Sequence, residues 1–223
     1  MESYDVAIVG GGSAGLAALK QLSTLGKQAV LLEAGRQVGT KNVSGGILYS
    51  KKPKHGRSYN VEDVYPEFLQ EAPIERKITQ YMLHATSGNK VFTMNLTAAH
   101  EYQANFGCSV LLNRLNTWFA RNAGESAEKQ GGGIVSGVHV RSVQWQKNNN
   151  NKTVIETDEL DPFEAKAVIA ADGVNSEVAE MTGARPKFTP EQLYQGVKVV
   201  VKVPEEILEQ RFGIGPEEGA AHL

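Results

Sequence analysis

A single cysteine, Cys108, is all the thiol chemistry in this 223-residue chain. That excludes an internal disulfide and any zinc or iron–sulfur site built from this chain's own cysteines. With Gly107 before it and apolar neighbours, Cys108 reads as an inert, buried thiol. Charge of one sign is also lacking. Lysine and arginine number 23 against 25 acids, a formal net charge of −2, which gives no electrostatic argument for nucleic acid. No apolar run reaches transmembrane length. The start, Met-Glu-Ser-Tyr-Asp, lacks the basic opening and apolar core of a signal peptide. The five histidines, His55, His84, His100, His139 and His222, are scattered without paired spacing and read as structural or solvated. No Ser-His-Asp order or glycosidase-like acid pair stands out. A soluble, reduced, cytoplasmic protein is the expectation.

What the chain does have is glycine in an unexpected place. "DVAIVGGGSAGLAALKQL", residues 5–22, sets Gly10, Gly12 and Gly15 directly behind the apolar run Val6–Val9, and "AVLLEAG", residues 29–35, ends a second apolar run in Glu33. Three glycines in six residues stabilise neither a strand nor a helix. The period changes at Ser13: Leu16, Leu19, Leu22 and Leu25 recur at helical spacing, and Gly26 is a stop signal. The whole reads as a strand, a helix and a second strand joined by a right-handed parallel crossover. In that setting Gly10 permits a tight turn, Gly12 lets a pyrophosphate approach the backbone, and Gly15 lets the helix pack on the strand. The helix N-terminus offers free N–H groups and partial positive charge to the phosphates. Glu33, 18 residues beyond Gly15, is placed to accept hydrogen bonds from ribose hydroxyls. It also disfavours a 2′-phosphate, where two anions would meet. Dinucleotide binding follows, without separating FAD from NAD.

Further along, residues 36–65 read as irregular and 74–97 as a hairpin turning at Ser87-Gly88-Asn89. A helix is expected over 111–122, with Leu111, Leu115, Trp118 and Phe119 on one face. Residues 134–145 and 153–157 form a second hairpin turned through Asn148–Asn151. A buried strand, Ala167–Ala171, ends in Asp172-Gly173, and 192–203 is a last strong strand. Pro204, Glu205 and Glu206 open a short helix. The run Lys51–Arg57 reads as a solvated loop, with docking on an acidic partner or on anionic lipid as the sharper alternative.

Two segments carry a family resemblance. "AKAVIAADGVNSEVAEMTG", residues 165–183, taken with the N-terminal unit, resembles the Asp-Gly segment of flavoproteins with the glutathione-reductase type of FAD fold; the resemblance implies that Asp172, with Gly173, binds the ribityl chain. "GTKNVSGGILYS", residues 39–50, is more specific. Lys41-Asn42-Val43-Ser44-Gly45-Gly46 resembles the flavin-facing loop of the Fix-type flavoproteins, relatives of electron-transfer-flavoprotein:quinone oxidoreductase in the geranylgeranyl-reductase-like group. The likeness extends to "LYQGVKVVVKVPEEILEQRF" and "GPEEGAAHL".

That resemblance implies an α/β protein: a three-layer, Rossmann-like FAD-binding fold over 1–75 and 98–190, with part of a second, mainly antiparallel sheet from 76–97 and 191–223. It implies that Ser13 and Ala14 beside the glycines, Ala34 beside Glu33, and Val140 join the FAD contacts, with Lys41, Asn42 and Ser44 tuning the isoalloxazine. It departs at Leu112, where the family usually has an arginine that helps hold FAD and for which Arg114 is a partial substitute, and at Asn116, where an aspartate is usual. Family members continue well beyond residue 223, so the likeness covers their N-terminal part. The implied function is electron transfer through FAD, from an electron-transfer flavoprotein to a ferredoxin-like protein or a quinone, with peripheral membrane contact in the latter case. No acid–base residue is implied. An FAD-dependent reductase or hydroxylase, and a non-catalytic FAD module, remain as alternatives.

Overall fold

The computed structural model describes residues 2–41, 43–50, 60–97, 106–146 and 152–222. Two compact units divide the chain: residues 1–42 with 116–196, and residues 43–115 with 197–223. This division assigns 43–75 and 98–115 to the second unit, where the sequence placed them with the first.

The first unit is built on a six-stranded sheet. The apolar run becomes β1 (Ser3–Val9), followed by α1 (Ser13–Thr24) and β2 (Ala29–Glu33). β1 and β2 pair in parallel, as a short crossover through a helix requires. Leu16 and Leu19 are fully buried as α1 packs on β1 and β2, while Leu25 falls past the helix end and is 69% exposed. The helix after the second unit's strands, α4 (Leu112–Glu128), runs six residues further than its expected end at 122 and buries Trp118, Phe119, Ala123 and Ala127. The expected hairpin of 134–145 is two strands. β7 (Gly133–Ser136) joins the parallel edge beside β2, and β8 (Val140–Gln146) pairs antiparallel with β9 (Lys152–Thr157). Gly137, at φ +77°, breaks the run between them. The asparagine turn lies outside the described residues.

β10 (Phe163–Ala170) completes the sheet in the order β7-β2-β1-β10-β9-β8. It begins earlier than expected, and it is not buried throughout. Phe163 and Ala165 are core, whereas Ala167 and Ala170 are exposed. The reason is pairing: β9 covers β10 only over Phe163–Ala165, leaving the rest of that edge with β1 alone. Ala7, Val30, Leu32, Ile155, Phe163 and Val178 form the heart of this unit's core, so α5 (Glu177–Met181) is tied into it through Val178.

The second unit holds a mainly antiparallel sheet, as expected, with β3 and β6 added to strands from the expected segments. Its order is β11-β4-β6-β3, with β5 paired to β4. β4 (Ile74–Ser87) and β5 (Lys90–Asn95) are the expected hairpin, turned at Gly88-Asn89. β3 (Gly45–Ser50) lies in the segment expected to be irregular, as do the short helices α2 (Val61–Val64) and, just beyond it, α3 (Phe68–Glu71). β6 (Phe106–Leu111) pairs with both β3 and β4, and β11 (Glu218–His222) runs parallel to β4. Leu111 therefore belongs to a strand, not to the face of the following helix.

The strand expected over 192–203 is absent among the described residues. After a short 3-10 turn at Pro190–Gln192 the segment is irregular, and Tyr194, Val199, Val200 and Val201 are 95%, 75%, 65% and 70% exposed. β-Branched residues fit a pleated surface, but a strand exists only as a ladder with a neighbour.

The helix opened by Pro204 is α6 (Glu205–Phe212), and Arg76 of β4 fastens it. Arg76 donates to Glu205 Oε1 at 2.5 Å and Glu209 Oε1 at 3.3 Å, and also to the carbonyl of Glu218 at 2.9 Å. One guanidinium thus ties α6 and β11 to β4. Arg76→Met keeps the stem and loses the fork, leaving the carbonyl and Glu209 without their cation. Urea unfolding should record a loss of about 2–3 kcal/mol. A loss below about 0.5 kcal/mol would reduce the cluster to surface decoration.

Candidate functional site

In the first unit the carboxyl ends of β1, β2 and β10 meet the start of α1, and the glycine loop lies there. Gly10 sits at φ +107°, and a Cβ on it would overlap the Ala171 carbonyl. Its N–H donates to the Leu32 carbonyl at 2.8 Å, and the Ala171 N–H donates to the Val9 carbonyl at 2.8 Å. Gly10 is therefore the point where three strand ends cross, and only glycine passes. Gly15 answers to the same crowding, since a Cβ there would strike the Gly10 carbonyl.

Gly12 is different. It caps α1 in extended backbone (φ −78°, ψ 179°), has no side-chain capping hydrogen bond, and has nothing within 4 Å of where its Cβ would lie. The first N–H groups of α1, at Ser13 and Ala14, thus face a vacant approach with a partial positive charge behind them.

Glu33 reaches into this loop from the end of β2. Its Oε2 accepts the Gly11 N–H at 2.8 Å, and its Oε1 accepts the Gly35 N–H at 2.6 Å. Lys41 Nζ stands 3.2 Å from Oε1, and the carboxylate side chain is only 13% exposed. Gly11 was not singled out from the sequence; its signal was its place as the middle glycine of an uninterrupted triplet. Lys41 is placed beside Glu33, with its side chain over Gly35.

Asp172, at the end of β10, accepts the Val178 N–H on Oδ2 at 2.8 Å and so caps α5. Gly173 takes a positive φ, and Ser176 follows in the left-handed region at φ 47°. Arg185 grips this turn by donating to the carbonyls of Asn175 and Ser176, with its guanidinium 3.9 Å from the Phe188 ring centre. A non-glycine residue held at positive φ by a dedicated arginine marks a segment whose shape matters more than its local ease.

These side chains share one concave surface. A cavity of about 310 Å³ is lined by Gly10, Gly12, Glu33, Lys41, Asp172 and Gly173 among others. A second, of about 210 Å³, shares Gly10, Glu33, Lys41 and Asp172 and extends to Ala34, Val138 and Val140. Ala34 and Val140, named from the resemblance, thus lie in the same place. So does His139, which the sequence set aside: its Nε2 is 2.9 Å from Glu177 Oε2, and its N–H donates to Glu159 at 2.9 Å.

At the start of α1, Ser13 Oγ donates to Asn116 Oδ1 at 2.8 Å. Asn116 is fully buried and its Nδ2 has no partner among the described residues. An aspartate would accept from Ser13 without stranding a donor, which is the physical content of this departure.

The other expected contacts belong to the second unit or lie outside the described residues, as Asn42, the basic run 51–57, His55 and His100 do. Val43 and Ser44 precede β3, and the Ser44 carbonyl accepts the Leu112 N–H at 3.0 Å. A Cβ on Gly45 would come within 2.6 Å of the Val110 carbonyl, so strand pairing alone demands that glycine; Gly46 has open space instead. Arg114 donates to Glu75 at 2.9 Å, an exposed ion pair. Cys108 is fully buried in β6, and burial, with a smaller contribution from Glu62, pushes its thiol up to about 11. Its thiolate is then scarce at neutral pH. Ellman's reagent should react at least about tenfold more slowly with the native chain than with the chain in denaturant.

The groove fits an extended dinucleotide: a bare helix start for phosphates, a carboxylate facing it from β2, and a second carboxylate at the end of β10. No helix among the described residues is long and apolar enough to cross a membrane. Residues 3–212 match the FAD binding domain model. The chain is 34% identical to Protein FixC of Salmonella typhi over 221 residues, 99% of this chain and 48% of that protein. It is 31% identical to the probable electron transfer flavoprotein-quinone oxidoreductase YdiS of Escherichia coli (strain K12), over all of this chain and 48% of that one. It spans about half the length of these curated relatives. A solved geranylgeranyl bacteriochlorophyll reductase-like protein from Thermoplasma acidophilum shares the fold, with a TM-score of 0.56 at 22% identity over 82% of this chain and 42% of that one. The resemblance to Fix-type flavoproteins and the α/β, Rossmann-like architecture are thereby borne out, and the chain belongs to the FAD-binding domain family, with FAD as its cofactor.

Proposed function

We propose that this chain forms the FAD-binding part of an oxidoreductase that receives electrons from an electron-transfer flavoprotein and passes them to a ferredoxin-like protein or a quinone. The observation that carries the reading is likeness along the whole chain to FixC and to a probable electron transfer flavoprotein-quinone oxidoreductase. FAD supplies the redox chemistry when bound, and the protein's contribution is position and electrostatics.

In this reading Gly12 and the α1 N–H groups at Ser13 and Ala14 hold the pyrophosphate, and Gly10 and Gly15 keep the loop in the shape that makes this possible. Glu33 accepts from the adenosine ribose, with Lys41 orienting it. Ala34 and the Val138–Val140 stretch flank the adenine side. Asp172 and Gly173 take the ribityl chain, and Val43–Gly46 with Asn42 face the isoalloxazine. A quinone acceptor would call for contact with a membrane surface, for which the run 51–57 is the candidate segment.

Stopped-flow absorbance of the FAD-loaded chain tests the reading. Reduced electron-transfer flavoprotein should bleach the flavin, and NAD(P)H should not. Direct bleaching by NAD(P)H, with none by the flavoprotein, would move the chain to the reductase and hydroxylase branch of FAD proteins.

A further inference from the structure

Asn116 of α4 is a polar side chain with no solvent exposure, and only one of its two amide atoms is used. Its Oδ1 accepts the hydroxyl of Ser13 at 2.8 Å, while its Nδ2 has no partner among the described residues. Ser13 is the first residue of α1 and is exposed. A buried amide with a stranded donor thus stands directly behind an exposed hydroxyl at a helix start. Stranding such a donor costs free energy, and folded proteins rarely do it without a use for the group. Gly12, the cap of α1, brings no side chain, so Ser13 carries the first hydroxyl that an anion meets there. With its proton turned inward to Oδ1, that hydroxyl shows only lone pairs to the outside. A phosphate oxygen would meet an acceptor.

We propose that Asn116 is a positioning residue for the phosphate end of the cofactor. When a phosphate meets the start of α1, the Asn116 amide turns over, Nδ2 donates to Ser13 Oγ, and the Ser13 hydroxyl donates to the phosphate. This rests on the reading that the FAD phosphates lie at Ser13 and Ala14. The turn is about χ2, a broad and roughly two-fold torsion, and it exchanges two groups of nearly equal size. Packing around Asn116 is therefore kept. No proton is gained or lost. One hydrogen bond becomes two, and the new one goes to an anion, which makes it the stronger kind. The Nδ2–H and Oγ–H then point the same way, and each polarises the next toward the phosphate. Oδ1 replaces Nδ2 as the unpaired atom, so that penalty is exchanged rather than added. Only an amide can serve both states. A carboxylate at this position has no hydrogen to give and holds the hydroxyl inward.

The test is titration of the whole chain with ADP, followed by calorimetry and by nitrogen–proton NMR. The side-chain amide signals of Asn116, assigned through its own backbone, should shift on ADP binding in the wild type. They should shift far less in Ser13→Ala, which changes an exposed position and removes the relaying hydroxyl. In calorimetry Ser13→Ala should weaken ADP binding about five- to tenfold in the wild-type background and less than about twofold beside Asn116→Asp. The NMR comparison does not need the Asn116→Asp protein, so it decides the matter even if that variant fails to fold. Asn116 amide signals unmoved by saturating ADP, or a Ser13→Ala loss that is the same in both backgrounds, overturn the role of Asn116. Backbone N–H signals of residues 12–14 that shift in the same titration then keep the phosphate reading in place. If those are unmoved as well, both fall.

Discussion

Gly12→Ala should leave the thermal midpoint nearly unchanged and weaken FAD binding at least about tenfold, roughly 1.4 kcal/mol. Gly10→Ala, two residues away, should do something else. At Gly12 the backbone is extended and a methyl group meets nothing of the protein, so the only object it can collide with is a ligand. At Gly10 the new methyl faces the Ala171 carbonyl from a backbone at φ +107°. Left-handed backbone costs about 1–2 kcal/mol and overpacking about 1–3 kcal/mol more. The sum, about 2–5 kcal/mol, lowers the Tm by roughly 5–15 °C for a chain of this size and takes FAD binding with it. Differential scanning calorimetry with flavin-fluorescence titration separates the two outcomes. A Gly12→Ala protein with unchanged affinity for FAD would remove the glycine loop from the pyrophosphate site.

The same contrast explains why the site was partly legible in the sequence. Gly10, Glu33 and Asp172 stand out in the sequence because each ends or directly follows an apolar run, and a run end in a parallel sheet is where ligands bind; all three line one concave surface. Spacing alone cannot say which glycine serves the backbone and which serves a ligand. Gly45 illustrates it: the resemblance places it against the flavin, and the Val110 carbonyl of the neighbouring strand β6 by itself leaves no room for a side chain there. Lys41 and His139 show the other limit. Both are near the site through tertiary contacts, to Glu33 and Glu177, that no local pattern encodes.

For the fold, strands marked by an apolar run or by turn residues between alternating segments were legible, and those decided by neighbours were not. β1, β2 and the β4–β5 hairpin follow from run, period and turn residues. β3 begins with two glycines and β11 reads Glu-Gly-Ala-Ala-His, so neither carries the β-branched signature, and both exist because β6 and β4 offer them a ladder. The converse case is 192–203, with the strongest strand composition in the chain and no partner strand among the described residues. Composition proposes a strand; pairing decides it.

Glu33→Gln should cost the chain both stability and ligand binding. The carboxylate is used on both oxygens before any ligand arrives, by the Gly11 N–H on one and by the Gly35 N–H and Lys41 on the other. Glutamine has one oxygen and one NH₂. Whichever way it turns, the NH₂ meets a backbone donor, at Gly11 or at Gly35, in a position only 13% exposed. Losing a charge-assisted bond there costs about 1.5–3 kcal/mol, and the loop that shapes the pyrophosphate site loses its brace. Glu33→Arg should be worse, since it sets a cation beside Lys41. Stability alone would not reveal the ribose contact, so the deciding comparison is between ligands. Wild-type chain should prefer ADP to 2′-deoxy-ADP by about tenfold, because a carboxylate oxygen still has a lone pair for the 2′-hydroxyl. Glu33→Gln should bind the two with nearly equal affinity, and the difference between the preferences is the coupling of the carboxylate to that hydroxyl. Equal affinities in the wild type would mean that Glu33 serves only the backbone of Gly11 and Gly35.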